Sequence, residues 1–214
     1  CHGVPSPNVW KKYIKFRERL ADAETQSINF RRKDEGWKRF SLTFTFVNST
    51  EYRKNLSDDL YMKAFLRDVC LRPSCYECKF KGLNRQSDIT LADFWGVQNI
   101  LPEMDDDKGT SLIFTNSKNG QMIFKELKDE MVYKEVDILE AVKYNPAAVK
   151  SAKYNPNRNG FMVEMNDLVF DELVKKYCSD PLILRLKRSI KFGIKWLLRK
   201  FKILIVKKYG INKM

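Results

Sequence analysis

The chain has 214 residues, 43% of them hydrophobic and 31% charged, a balance that excludes an intrinsically disordered polypeptide and leaves room for one sizeable core. Its net charge of +13 is concentrated at one end: from residue 181 onward there are 11 Lys or Arg and no acid, so residues 1–180 hold 29 basic against 27 acidic residues. A nearly neutral body argues against nucleic acid as a partner.

Taken in order, residues 9–24 carry Val9, Tyr13, Phe16 and Leu20 at helical spacing after Pro7. Residues 27–31 and 40–47 alternate as strands, the second with Phe40, Leu42, Phe44 and Phe46 on one face. Asn48-Ser-Thr50 reads as a hairpin turn. A helix over 58–69 follows, with Ser57 as its expected cap and Leu60, Ala64 and Phe65 turned inward. Residues 70–87 form a cysteine-bearing loop, and 88–94 a short strand stopped by Gly96. A turn at 105–109 leads into a strand over 110–115, then a turn at 116–120 and a helix over 121–129. Residues 131–136 read as an edge strand, and the Asn-Pro pairs at 145 and 155 mark an irregular connection. One helix is expected over 161–177 and another after Pro181. The expectation is an α/β fold, with α+β as the variant, built on one mixed sheet flanked by helices. It divides into a domain over 1–178 and a basic amphipathic helical tail over 181–214.

The strongest chemical signal is Cys75-Tyr-Glu-Cys78, with Cys70 upstream giving C-x4-C-x2-C, the spacing of a plant-type ferredoxin. Five cysteines without a secretion signal favour metal or redox use in a reducing compartment over a disulfide framework. On spacing alone an iron–sulfur cluster, a zinc site completed by Cys1-His2, and buried structural thiols remain open. His2, the single histidine, fits no Ser-His-Asp arrangement. Lys79, Lys81 and Arg85 with Gly82 and Asn84 make a basic loop that either grips a phosphate-bearing or acidic cofactor or lies solvated. Asp88 and Asp93 fall on opposite faces of their strand and form no dyad; Asp93, beside Trp95, is the candidate polar contact to a bound ring system.

In the tail, Ile183, Leu186, Ile190, Ile194, Leu197, Phe201 and Leu204 make a narrow apolar stripe beside Arg188, Lys191, Lys195, Arg199 and Lys202. No uncharged run is long enough to span a bilayer, so the stripe suits the anionic cytoplasmic face of a membrane, with docking on protein as the rival. The expected location is cytoplasmic, peripheral on the inner face of the cell membrane.

Four segments together carry a resemblance: residues 1–7, Arg72–Phe80, Ser87-Asp-Ile-Thr-Leu-Ala-Asp-Phe-Trp-Gly96 and Asp107-Lys-Gly-Thr-Ser-Leu112. They resemble, over about residues 1–165, the C-terminal domain of the coenzyme F420 hydrogenase/dehydrogenase beta-subunit family. The likeness is to the bacterial branch that accompanies polysaccharide biosynthesis genes. Members are iron–sulfur flavoproteins, so the resemblance implies a 4Fe-4S cluster held partly by Cys1, Cys75 and Cys78, with Cys70 incidental. It implies FAD contacts near Lys81, Arg85, Asp93 and Trp95, and electron exchange with a redox partner protein or a deazaflavin. The opening Cys-His-Gly-Val-Pro reads as the middle of a protein, so the expectation is a domain whose N-terminal portion supplies the fourth ligand and further flavin contacts. The rival reading is a non-enzymatic membrane-surface adaptor with a structural zinc.

Overall fold

The computed structural model describes residues 1–179; the tail helix and its membrane face lie outside the described residues. Helix α1 (Pro7–Ala21) opens with Pro7 in its first turn and closes on Asp22 in the left-handed conformation, φ 47°. Val9, Tyr13 and Phe16 are buried as their spacing requires, while Leu20 is left at 65% exposure beyond the edge of the packed face. Strands β1 (Thr25–Arg32), β2 (Ser41–Phe46) and β3 (Glu51–Asn55) form an antiparallel sheet in that order, β2 and β3 joined by the expected turn. Phe40, Leu42, Phe44 and Phe46 are all buried, each contributing about 1.5–3 kcal/mol by leaving water.

Helix α2 (Leu60–Leu66) starts later than expected. Asp59, not Ser57, caps it: the Asp59 carboxylate accepts the Met62 N–H at 2.8 Å, while the Ser57 hydroxyl donates to Asn55 Oδ1. Tyr61, Met62 and Ala64 are its buried residues, and Leu60 and Phe65 lie half-buried against the same core. The long helix expected over 161–177 is two helices, α6 (Arg158–Glu164) and α7 (Phe170–Cys178), separated by a bend through Met165–Val169. The bend turns α7 back onto α1 and α2, and Phe170 meets the Tyr13 ring at 4.9 Å. These elements enclose the larger core.

Strands β4 (Ile89–Asp93) and β5 (Ser111–Thr115) pair antiparallel as a second sheet. Between them lie α3 (Val97–Ile100) and a loop; after them come α4 (Lys118–Leu127) and α5 (Ile138–Lys143). Ser117 caps α4 through the Gly120 N–H, so the helix begins where a turn was expected. Residues 131–136 do not join a sheet; they run as irregular chain beside β5. Phe94, Val97, Leu112 and Ala141 form a smaller, separate core. The fold is therefore mixed α and β, and in place of one mixed sheet the described residues carry two antiparallel ones. Residues 1–178 nonetheless form one compact unit.

Candidate functional site

A cleft of about 960 Å³ opens between the two sheets. One wall is apolar: Phe40, Tyr61, Met62 and Phe65 of the larger core, with the exposed Phe30 beside them. The facing wall is β4 from Thr90 to Asp93 with Trp95, Phe114 and the Tyr144–Ala148 segment. Cys1, His2, Arg31, Arg85 and Asp93 bring polar atoms to it. An apolar pocket with few converging polar groups is the usual form of a cofactor site.

The Asp-Phe-Trp-Gly run builds one side of this cleft, each residue in a different role. Asp93 ends β4 and meets Arg31 Nη1, across the cleft from β1, at 2.9 Å. Phe94 is buried in the smaller core. Trp95 lines the cleft and stacks on Trp37, ring centroids 4.2 Å apart and tilted by 31°. Gly96 turns the chain at φ +86°, and an added Cβ would stand 2.3 Å from the Tyr144 ring. Asn145, itself buried, fixes the Trp95 carbonyl with its side-chain N–H₂ at 3.1 Å. The Asp107-Lys-Gly109 turn explains the position of Trp37: Asp107 C=O accepts the Trp37 N–H at 2.8 Å, and Gly109 leaves the indole the space a Cβ would fill.

The thiols divide into two kinds. Cys70 and Cys178 are buried, and burial pushes their thiols up to about 12 and about 11 respectively, so both stay protonated. Cys70 thus stands apart from the loop, whatever its spacing. Cys75 and Cys78 are half-buried and Cys1 is exposed. Cys75 lies at the end of a single 3₁₀ turn, Pro73–Cys75, where its Sγ accepts the Val4 N–H at 3.2 Å; Cys78 N–H donates to Ser151 Oγ at 3.0 Å. An isolated bridge between Pro5 and Leu71 holds the N-terminal segment beside the loop.

Lys81 and Arg85 are spent on the backbone. Lys81 Nζ donates to the carbonyls of Cys1 and Ala147, and Arg85 reaches the Phe80 and Ala148 carbonyls at 2.8 and 2.6 Å. Burial lowers the Lys81 pKa; the neighbouring Cys78 pulls it back up. His2 pairs with Asp68 at 2.9 Å and sets its ring against Phe65; burial raises the Asp68 pKa, which His2 partly offsets.

The structure therefore brings Cys1, Arg85, Asp93 and Trp95 to one cleft and puts Lys81 beside Cys1, Cys75 and Cys78. Soft thiols carrying an N–H···S bond match an iron–sulfur cluster in donor chemistry. In geometry they do not: among the described residues no three Cys, His, Asp or Glu side chains stand close enough to hold one metal ion, cluster or zinc. Arg31 and Asn145 carry no sequence signal of their own. Their roles come from pairing across the cleft and beneath Trp95, which needs the tertiary fold.

The family pattern for the C terminus of the beta subunit of coenzyme F420 hydrogenase/dehydrogenase matches residues 1–141. The chain belongs to this family. The match takes in Trp37, the thiol loop and the whole Asp-Phe-Trp-Gly run; the bracing segment at Tyr144–Ala152 lies past its end. No curated protein and no solved structure matches the chain. Family membership places it in an oxidoreductase context. Among the described residues no helix is long and apolar enough to cross a membrane.

Proposed function

We propose that this domain is an electron-transfer component that works with an iron–sulfur cluster and a flavin, serving reductive steps in polysaccharide biosynthesis. The observation that carries the reading is one cleft joining apolar walls, a stacked Trp95 and the Arg31–Asp93 pair to Cys1 at the edge of the thiol loop. Cys1, Cys75 and Cys78 would supply three thiolates, and binding would draw together thiols that the structure holds apart. A flavin brings one- and two-electron chemistry when bound. The chain's own contributions are narrower: Trp95 and Phe40 offer flat apolar faces, the Arg31–Asp93 pair sets a polar edge across the cleft, and Asn145 fixes the backbone behind Trp95. Remaining cluster and flavin contacts would come from a partner polypeptide, and the tail would hold the assembly at an anionic membrane surface.

Anaerobic purification followed by absorption spectroscopy and iron, sulfide and zinc analysis tests this. Iron with acid-labile sulfide and a broad violet-blue absorption is expected. Stoichiometric zinc without flavin refutes the reading, and a Cys75→Ser/Cys78→Ser variant that keeps its iron refutes the ligand assignment.

A further inference from the structure

Of residues 67–87 only Arg85 lines the cleft, and the rest of the thiol loop has a character of its own. Residues 67–87 and the bracing stretch 144–158 together hold 8 basic residues and 2 acids; Lys81, Arg85 and Arg158 are tied to backbone carbonyls, and Arg72, Lys79, Lys150 and Lys153 are exposed against one exposed acid, Glu77. The rest of residues 1–180 holds 21 basic residues and 25 acids, so the body's near-neutrality conceals a local cation field in an acidic surround. The two stretches are one surface. Cys75 C=O accepts the Ala152 N–H at 3.3 Å, Cys78 N–H meets Ser151, and the Tyr76 and Tyr154 rings are 5.1 Å apart. Lys79, Lys150 and Lys153 are exposed on it. Phe80 stands at 80% exposure between Lys79 and Lys81, with Leu83 and Tyr154 also exposed.

An exposed aromatic beside a two-thiol loop, ringed by lysines, combines a small apolar centre with a charged rim. Interfaces of this form are small and short-lived, with on-rate set by the charges and fit by the centre. We propose that the thiol loop and its bracing segment form a docking surface for a small acidic electron-carrier protein. The inference rests on the redox reading above and names the partner class for the same loop. A plane of anionic lipid or an extended nucleic acid is a poorer occupant, because either also meets the acidic remainder of the domain. A compact carrier covers the basic patch alone.

The test uses the full chain and a small acidic ferredoxin as probe, with a basic cytochrome c as charge control. Heparin and anionic vesicles serve as competing polyanions. Binding is followed by calorimetry across a salt series. The ferredoxin is expected to bind at low salt and weaken steeply as salt rises, and the cytochrome not to bind. Lys79→Glu/Lys153→Glu should weaken binding by about tenfold or more and flatten the salt dependence, whereas Phe80→Ser should weaken it at every salt with the slope kept. The tail contributes the same background to every variant, and circular dichroism verifies that each is folded. Unchanged ferredoxin affinity in Lys79→Glu/Lys153→Glu overturns the proposal. So does an equal loss for heparin or vesicles, which would make the patch a general polyanion surface. Metal and flavin analysis of the same samples separates the readings: binding without redox cofactor sinks the proposed function alone, and cofactor without binding sinks the docking surface alone.

Discussion

Asp59 ties α1, β3 and α2 together at one buried point, and its removal has a calculable cost. The side chain is fully buried; one oxygen caps α2 at Met62 N–H, and the other accepts the hydroxyls of Tyr13 and Tyr52, the latter at 3.1 Å. Arg17, itself only 7% exposed, donates to those two hydroxyl oxygens at 2.8 and 2.7 Å and lies 3.6 Å over the Tyr52 ring. Burial and the nearby carboxylate push both tyrosine pKa values well above the ordinary phenol range, so both remain donors. Asp59→Ala removes a helix cap worth about 1 kcal/mol. It also removes the carboxylate that faces the buried Arg17 guanidinium through the two phenols, about 1–3 kcal/mol. Two hydroxyls lose their acceptor at about 1 kcal/mol or more each. These terms share partners and overlap, so the expected loss is about 3–5 kcal/mol, a large part of the roughly 5–15 kcal/mol that holds a domain folded. Asp59→Asn keeps the cap and an acceptor and should lose only about 2–3 kcal/mol, while Arg17→Met added to Asp59→Ala should recover part of the deficit. Urea unfolding followed by circular dichroism reads each value from the midpoint and slope. A loss under about 1 kcal/mol for Asp59→Ala, or no recovery on removing Arg17, would falsify the coupling of charge and cap on which the expected cost rests.

Gly96→Ala meets both a left-handed backbone and the Tyr144 ring, so a loss of about 2 kcal/mol is expected in the same assay; Tyr144→Ala in the Gly96→Ala background should return the steric part and leave the strain. Alkylation of the native protein at mildly alkaline pH should label Cys1, Cys75 and Cys78 and spare Cys70 and Cys178, read by peptide mass spectrometry; labelling of Cys70 before unfolding would contradict its burial. The Cys70 thiol pKa is higher folded than unfolded, so its contribution to stability is complete below the ordinary value of 9.0 and lost as pH climbs toward about 12; Cys70→Ala should flatten stability over that window in alkaline unfolding curves. The Glu164–Lys176 pair at 2.6 Å depresses the Glu164 carboxyl, so its small contribution is present above the ordinary carboxylate range and fades as pH falls through the lowered value. Glu164→Gln should remove that acid sensitivity from the α6–α7 pair, as seen by hydrogen exchange.

Sequence periodicity was sufficient where one face is buried against one partner. The Val9, Tyr13, Phe16 face of α1 is legible for that reason, and the run Phe40, Leu42, Phe44, Phe46 into β2 is legible by its alternation even though Ser41 and Thr43 on the opposite face are buried as well. Strand β3 reads Glu-Tyr-Arg-Lys-Asn; it is a polar edge strand with a single neighbour, and period-two hydrophobicity does not mark it. Residues 131–136 carry the strand-favouring Val132, Tyr133 and Val136 yet find no strand to pair with. Residue type states a preference, and hydrogen-bond partners decide. Helix α5 did leave a local trace, Asp137 with Glu140 three residues on, and Asp137 indeed caps it. At the site, the thiol loop and Asp93–Gly96 were visible as motifs, whereas Arg31 sits more than sixty residues from the Asp93 it pairs with. The spacing of Cys70 counted it among the loop thiols, but Val69, Cys70 and Leu71 are all fully buried, and burial outweighs spacing.

The two cores on either side of the cleft meet through the Trp37–Trp95 stack, the Arg31–Asp93 and Lys38–Asp105 pairs, and hydrogen bonds from Trp37 N–H and Lys38 N–H to Asp107. Each leaf is welded internally by apolar packing, and the clasp between them mixes one ring contact, hydrogen bonds to Asp107 and two ion pairs, of which Arg31–Asp93 is the more exposed. Salt and acid loosen such a clasp long before they reach the welds. The hinge of this clasp is thus part greasy and part ionic, and only its ionic half, Arg31–Asp93 at the mouth of the cleft, answers to salt.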